Sequence, residues 1–189
     1  MKITKEVYKI PGDCNVYLVL KPIPTLIDTG NPDDKNRIQT EIEKIIPLDK
    51  IKTVILTHLH YDHCGNIDLF KDSEIFVLEK ELEDFKKSPG NFFFGKVPES
   101  VYKTLLKAKN LKEEINSFKI LKVPGHTKGS VAVLDEKRKL LFSGDTLFHN
   151  GIGRTDFPNS SPEEMGESLN KLIRLVREED YELHPGHDY

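Results

Sequence analysis

The stretch TVILTHLHYDHCGNI, residues 53–67, restricts this chain more than any other. In it a short β-branched run leads directly into three histidines and an aspartate. An apolar run this short and unbroken reads as a strand buried on both faces, so His58, His60, Asp62 and His63 emerge where that strand ends. In extended chain, side chains two apart leave on the same side, and His58 and His60 can therefore grip one ion. Asp62 and His63 follow a bend and address a second point nearby. Imidazole nitrogens and carboxylate oxygens both suit Zn²⁺ and other first-row divalent ions. Structural zinc sites favour cysteine and a closed shell, whereas His/Asp ligation is typical of sites that keep a position open for water. The run points to catalysis.

Three further segments place a donor after a strand in a glycine-containing loop: VPGHTKGS with His126, FSGDTLF with Asp145 and HPGHDY with His187. Gly125, Gly129, Gly144 and Gly186 permit loops tight enough to turn those donors inward. Taken singly, His126 or His187 reads as an ordinary surface or core histidine. The H-x-H-x-D-H run does not, because packing has no use for four such groups at that spacing. Asp28 in LIDTG and Thr57 are candidates to orient ligand imidazoles, although a surface turn accounts for Asp28 equally well. His149 and Arg154 follow Asp145 closely enough to reach substrate, with structural hydrogen bonding the favoured role. His184 reads as structural and Cys64 as a small packed residue.

The remaining pattern is mixed. ITKEVYKI, NVYLVL and TLIDTG are bounded by turn residues and read as three opening strands. From Asp33 or Asp34 a helix carries Ile38, Ile42, Ile45 and Ile46 and stops at Pro47. A helix-like turn at NIDLF, a strand at EIFVLE and a helix through KELEDFKK come next. Residues 88–100, SPGNFFFGKVPES, read as a loop in which one or two of Phe92, Phe93 and Phe94 reach the core; a flap over substrate or a dimer contact is less favoured. A polar helix is expected at about 101–115. Strands follow at FKILKVP, SVAVLD and KLLFSGD. The last helix begins near Ser161 with Pro162 at its first position and Leu169, Leu172, Ile173 and Val176 along one face.

With 189 residues, 37% hydrophobic and 31% charged, the chain fits a single domain over residues 1–189. Two widely separated cysteines give no disulfide framework, and both thiols are expected reduced. A net charge of -3 without a basic stripe argues against nucleic acid. No apolar window is long enough for a membrane span and MKITKEVYKI has no signal-like core, so a cytoplasmic protein acting on a small molecule is the expectation.

THLHYDHCGN, PGHTKGS, SGDTLF, GIGRTDFP and PGHDY, in this order, resemble the metallo-β-lactamase superfamily, in particular the branch of hydroxyacylglutathione hydrolase (glyoxalase II) and persulfide dioxygenase. The resemblance spans nearly the whole chain. It implies an α+β fold, a four-layer αββα sandwich with metals at one edge between two sheets. It also implies that His58, His60 and His126 hold one ion, that Asp62, His63 and His187 hold a second, and that Asp145 bridges them. Two divalent cations against two carboxylates and a hydroxide leave a near-neutral, slightly positive site, suited to an anionic or developing-oxyanion substrate. Zinc is the expected metal, with iron or manganese as alternatives.

Metal binding lowers the pKa of water from about 15.7 toward roughly 7, so no Ser or Cys nucleophile is needed. Asp62 then orients the nucleophile and shuttles protons. A thioester suits such a site because a thiolate leaves without strong acid help. Asp145 occupies the place where many β-lactam-hydrolysing relatives carry cysteine, which argues against lactamase activity. Glyoxalase II carries a helical C-terminal domain that contacts glutathione, and this sequence ends two residues after His187, so a smaller thioester, a lactone or another acyl substrate is equally compatible with it. The alternatives are an iron-dependent persulfide dioxygenase and a non-catalytic metal-binding module.

Overall fold

The computed structural model describes residues 1–188. Strands β1 (Val7–Ile10), β2 (Val16–Val19) and β3 (Thr25–Ile27) form the expected antiparallel opening. They are followed by α1 (Lys35–Glu43), β4 (Thr53–Ile55), the single turn α2 (Tyr61–Cys64), β5 (Glu74–Val77) and α3 (Glu79–Lys87). Next come another single turn α4 (Gly90–Phe93), α5 (Glu99–Leu105), and the short strands β6 (Lys109–Asn110) and β7 (Glu114–Ile115). The chain closes with β8 (Phe118–Lys122), β9 (Val131–Asp135), β10 (Leu140–Gly144), α6 (Pro162–Glu178) and β11 (Glu182–Pro185).

One sheet has the order β1-β2-β3-β4-β5-β6 and the other β11-β10-β9-β8-β7. Period-2 geometry sends alternate side chains of each strand to opposite faces. On β2, Tyr17 and Val19 meet Phe118, Val133 and Phe142 of the other sheet, while Val16 and Leu18 pack with Ile38 and Ile42 of α1. On β9, Val131 and Val133 face the first sheet, and Ala132 and Leu134 pack with Leu172 of α6. Helices therefore cover both outer faces, giving the αββα layering that the resemblance implied.

Three local expectations are corrected. The polar helix expected at 101–115 ends at Leu105, because Lys109 and Asn110 pair with Phe76 and Val77 of β5, so edge pairing overrides helical propensity. The loop expected at 88–100 contains the helical turn α4, closed by Phe94 in the left-handed region at φ 49°. On α6 the fully buried ridge is Met165, Ser168 and Leu172, with Leu169 and Ile173 only half-buried.

Parallel pairing positions the site. β3 runs parallel to β4, and β10 parallel to β11, so each pair delivers its C-terminal ends to one edge of its sheet. The Val131 N–H donates to the Thr57 carbonyl at 2.9 Å and joins the two edges. Open sheets containing parallel strands place ligands at such carboxyl ends. No helix is long and apolar enough to cross a membrane among the described residues.

Candidate metal centre

Beyond Ile55 the chain leaves the ladder and runs through Thr57, His58, Leu59 and His60 into α2, placing His58, His60 and His63 at the sheet edge. His126 comes from the loop before β9, Asp145 directly follows β10, and His187 follows β11. Gly144 takes φ 52° in the turn into Asp145, a conformation that disfavours a Cβ. The structure brings together all seven donors named from the sequence. Donor atoms within 4.8 Å of one another occur in His58, His60 and His126, in Asp62, His63 and His187, and in His58, His63 and Asp145. Asp145 lies between the first two sets, 3.1 Å from His63 Nε2, 3.3 Å from His187 Nε2 and 3.6 Å from His126 Nε2.

Hydrogen bonding behind each ring fixes which nitrogen faces inward. The His126 Nδ1–H donates to the Arg154 carbonyl at 2.7 Å, and His187 Nδ1–H to the Asp13 carbonyl at 2.5 Å. His63 Nδ1–H donates to Asp28 Oδ2 at 2.8 Å. The Thr57 hydroxyl donates to Asp28 Oδ2 and accepts from His58 Nδ1–H at 3.1 Å. Asp28 thus sets two imidazoles, one directly and one through Thr57. It is buried, which removes the surface-turn reading. In His58, His60 and His126 the inner nitrogens are left as bare lone pairs. His58 Nε2 has no hydrogen-bond partner, and His60 Nδ1 lies 2.8 Å from His126 Nε2. Lone pairs crowded onto one point, each ring anchored from behind, fit a divalent cation.

Behind His60 stands Asn159, its amide 3.2 Å from Nε2 and its Oδ1 otherwise unpartnered. With the ends of the amide exchanged, Oδ1 accepts the Nε2–H that ligation through Nδ1 requires. Sequence reasoning missed Asn159, Asp13 and Glu81. For Arg154 structural hydrogen bonding is the favoured expectation, and its backbone carbonyl does anchor His126, while the residue also lines the cavity. His149 is exposed and does not line that cavity. His184 packs as expected, stacked 5.5 Å from Phe142, and Cys64 is a buried free thiol. Cys14, not singled out from the sequence, lies with Sγ 3.3 Å from His63 Nδ1.

The two halves of the cluster differ electrostatically. Burial, reinforced by the neighbouring His126, pushes His60 down to about 3, and burial also lowers His58 and His126, so all three stay neutral. Burial opposes charge on His187 as well, but hydrogen bonds to Asp145 and Asp62 carry it up to about 9. His63 behaves alike: burial is outweighed by the neighbouring Cys14 sulfur and by Asp145, Asp28 and Asp62, and it rises well above its ordinary value. At neutral pH the metal-free protein therefore holds protons on His63 and His187. An ion bound by that half must displace them, so its affinity rises with pH from neutrality through about 9, where His187 gives up its proton. Affinity at the His58, His60 and His126 half stays nearly flat above neutral pH, where none of the three carries a proton to lose. Calorimetric titration in buffers of different ionisation enthalpy reads this as proton release on binding of one ion and none on the other. Equal proton release for both ions contradicts the assignment.

The cluster opens on a cavity of about 330 Å³. Its mouth is apolar: Phe94, Phe148, Ile152 and Phe157 line it beside His60, Asp62 and His187. The three phenylalanines expected to belong to a connecting loop divide their roles. Phe92 is fully buried, Phe93 packs at the core margin, and Phe94 is 56% exposed with its ring 5.9 Å from His60 and 5.2 Å from Phe157. Arg154 lies over the Phe157 ring at 4.6 Å and is paired with Asp156 at 2.8 Å.

Residues 10–187 match the family model described as the metallo-beta-lactamase superfamily. The chain is 32% identical over 200 residues to a probable metallo-hydrolase of Streptococcus pyogenes serotype M6, covering 99% of this chain and 84% of that protein. It is 33% identical over 150 residues to a hydroxyacylglutathione hydrolase of Haemophilus influenzae, covering 71% of this chain and 68% of that protein. The crystal structure of TTHA1623 in a di-iron-bound form shares a TM-score of 0.74 at 28% identity, covering 97% of this chain and 92% of that one.

Proposed function

The chain belongs to the metallo-beta-lactamase superfamily, and from that membership we propose that it is a two-metal hydrolase that cleaves a thioester or related acyl bond. The observation that carries this reading is the convergence of seven donors, five of which, His60, Asp62, His126, Asp145 and His187, line a cavity with an apolar mouth. His58, His60 and His126 hold one ion, Asp62, His63 and His187 the other, and Asp145 lies between. Two divalent ions supply a hydroxide nucleophile at neutral pH and a Lewis acid for the substrate carbonyl. Zinc suits the donor set, and iron is the alternative that the di-iron relative favours.

The chain's own residues do the rest. Asp62, with Oδ2 3.3 Å from His187 Nε2 and a side chain that lines the cavity, orients the attacking water and takes its proton. Phe94 and Phe157 flank His60, keep water from the reacting carbonyl and offer an apolar surface to the acyl group. Among the lining residues Arg154 is the only lysine or arginine, and Asp156 already engages it. Glutathione brings two carboxylates, for which this mouth offers no second cation. A small neutral thioester or lactone fits better.

The deciding experiment combines metal analysis of purified holoprotein with turnover of a short-chain acyl thioester, S-D-lactoylglutathione and a persulfide. We expect two ions per chain, hydrolysis of the neutral thioester at least about tenfold more efficient than of the glutathione ester, and no oxygen uptake. One iron per chain with oxygen consumption instead establishes the persulfide dioxygenase reading. Metal uptake without any turnover leaves a binding module.

A further inference from the structure

Glu81 stands in the wrong place for an acid. On α3 it shares the buried face with Leu82 and Phe85 and is fully shielded from solvent, while its neighbours Glu79, Lys80 and Glu83 are exposed. No lysine or arginine pairs with it among the described residues. Its carboxylate instead accepts three hydrogen bonds. Oε1 takes the Leu59 N–H at 3.0 Å, and Oε2 takes the Thr127 hydroxyl at 2.9 Å and the Gly129 N–H at 3.0 Å. Burial pushes this carboxyl up to about 7, which shows how costly its charge is in that position.

The three donors lie in two loops. Leu59 separates His58 from His60 beyond the end of β4, where no ladder partner remains for its N–H. Thr127 adjoins His126, and Gly129 closes the same loop. A Cβ on Gly129 would stand 2.5 Å from Glu81 Cβ, so the approach needs glycine at that point. The other half of the cluster is anchored elsewhere, His63 by Asp28 and Thr29 and His187 by the Asp13 carbonyl.

We propose that Glu81 is a positioning residue: its buried carboxylate ties the 58–60 loop to the 126–129 loop and holds His58, His60 and His126 at ligating separation before an ion arrives. The role follows from which loops it joins. One carboxylate fixes the spacing of three imidazoles that come from distant parts of the chain, and in doing so replaces the sheet hydrogen bonds that both loops give up. Outer partners of this kind set ligand geometry and contribute to metal affinity.

This inference rests on the two-ion reading above. Its test is competition of the Co²⁺-loaded protein against a chelator, with bound metal counted and cobalt absorption recorded for each ion released, for the parent and for Glu81→Gln. Glutamine presents an amide N–H₂ to one of the two loops, so the tie is broken on one side while shape is kept. The expected result is that one of the two ions weakens about 10–100-fold, identified as the His58, His60 and His126 ion by a cobalt absorption that a His126→Ala variant lacks, while the other stays within about twofold. A uniform loss of both ions, or no change in either, overturns the role of Glu81. A parent protein that takes up fewer than two ions overturns the two-ion reading and this inference with it. Should Glu81→Gln fail to fold, Thr127→Val removes a single bond of the three. It is expected to weaken the same ion several-fold, and Thr127→Ser, which keeps the hydroxyl, to restore it. A folded Thr127→Val with parental affinity for both ions overturns the proposal.

Discussion

Asp28→Asn is expected to fold and yet to lose most of its metal affinity and roughly 10²–10⁴-fold of its turnover. The wild-type carboxylate takes the Thr57 N–H on Oδ1 and both the Thr57 hydroxyl and His63 Nδ1–H on Oδ2. Asparagine keeps Oδ1 for the Thr57 N–H and so puts a donor where two donors already point. His63 then has to accept at Nδ1 and carry its proton on Nε2, the nitrogen that faces Asp145 and His187. Thr57 turns its hydroxyl the other way, which presses the same reversal on His58. Both rings end with a hydrogen where the cation needs a lone pair. Asp28→Ala behaves differently. It leaves the buried Thr57 N–H unsatisfied at a cost of about 1–3 kcal/mol and puts a Cβ-bearing residue without a polar side chain at φ 59°. It forces no tautomer, however. The alanine variant should therefore melt lower than the asparagine variant but bind metal better. Thermal denaturation of the metal-free proteins and metal counting after dialysis measure the two orders. If the asparagine variant retains two ions, the tautomer argument fails.

That prediction depends on a residue the sequence placed only halfway. Asp28 was readable as an orienting group because it follows the strand TLI two residues before Gly30, but nothing local distinguishes such a position from a surface turn. Its burial comes from β3 pairing parallel with β4, a contact between segments more than twenty residues apart. The seven donors were more legible, because polar ligating groups at strand ends stand out against the apolar runs before them. Sheet membership was not. Strands such as Val16–Val19 are buried on both faces, so their composition shows no alternation to say which side meets which sheet. The αββα layering came from motif order rather than from strand pattern. Among the missed residues, Glu81 had one usable signal: it falls within the face marked by Leu78, Leu82 and Phe85, where an exposed acid has no business. Asn159 and the Asp13 carbonyl had none, since an amide in an irregular loop and a backbone oxygen carry no spacing that marks them.

Asp62→Ala should lower kcat by roughly 10²–10⁴-fold while leaving the fold nearly intact. The side chain lies in the first turn of α2 and is 16% exposed at the edge of the cavity, so truncation opens no hole in the core. Its partners, His187 Nε2 at 3.3 Å and His63 Nε2 at 3.9 Å, keep Asp145 as an acceptor. One ion loses a ligand but not its site. This separates two roles that the geometry superposes in one carboxylate. If Asp62 serves only as a ligand, raising the metal concentration refills the site and restores turnover. If it also aligns the attacking water and removes its proton, occupancy returns and the rate does not. The second outcome is expected, because the Asp62 side chain lines the cavity with Oδ2 3.3 Å from His187 Nε2, where a water attacking a substrate in that cavity lies within its reach. Metal counting alongside initial rates across a titration of added Zn²⁺ decides between them. Asp62→Asn sharpens the comparison: it keeps an oxygen toward the ion but has no charge with which to take the proton, so it should load more readily than alanine and turn over no faster. Parental turnover in either variant removes Asp62 from the chemistry and leaves proton transfer to Asp145, the remaining carboxylate among the seven donors.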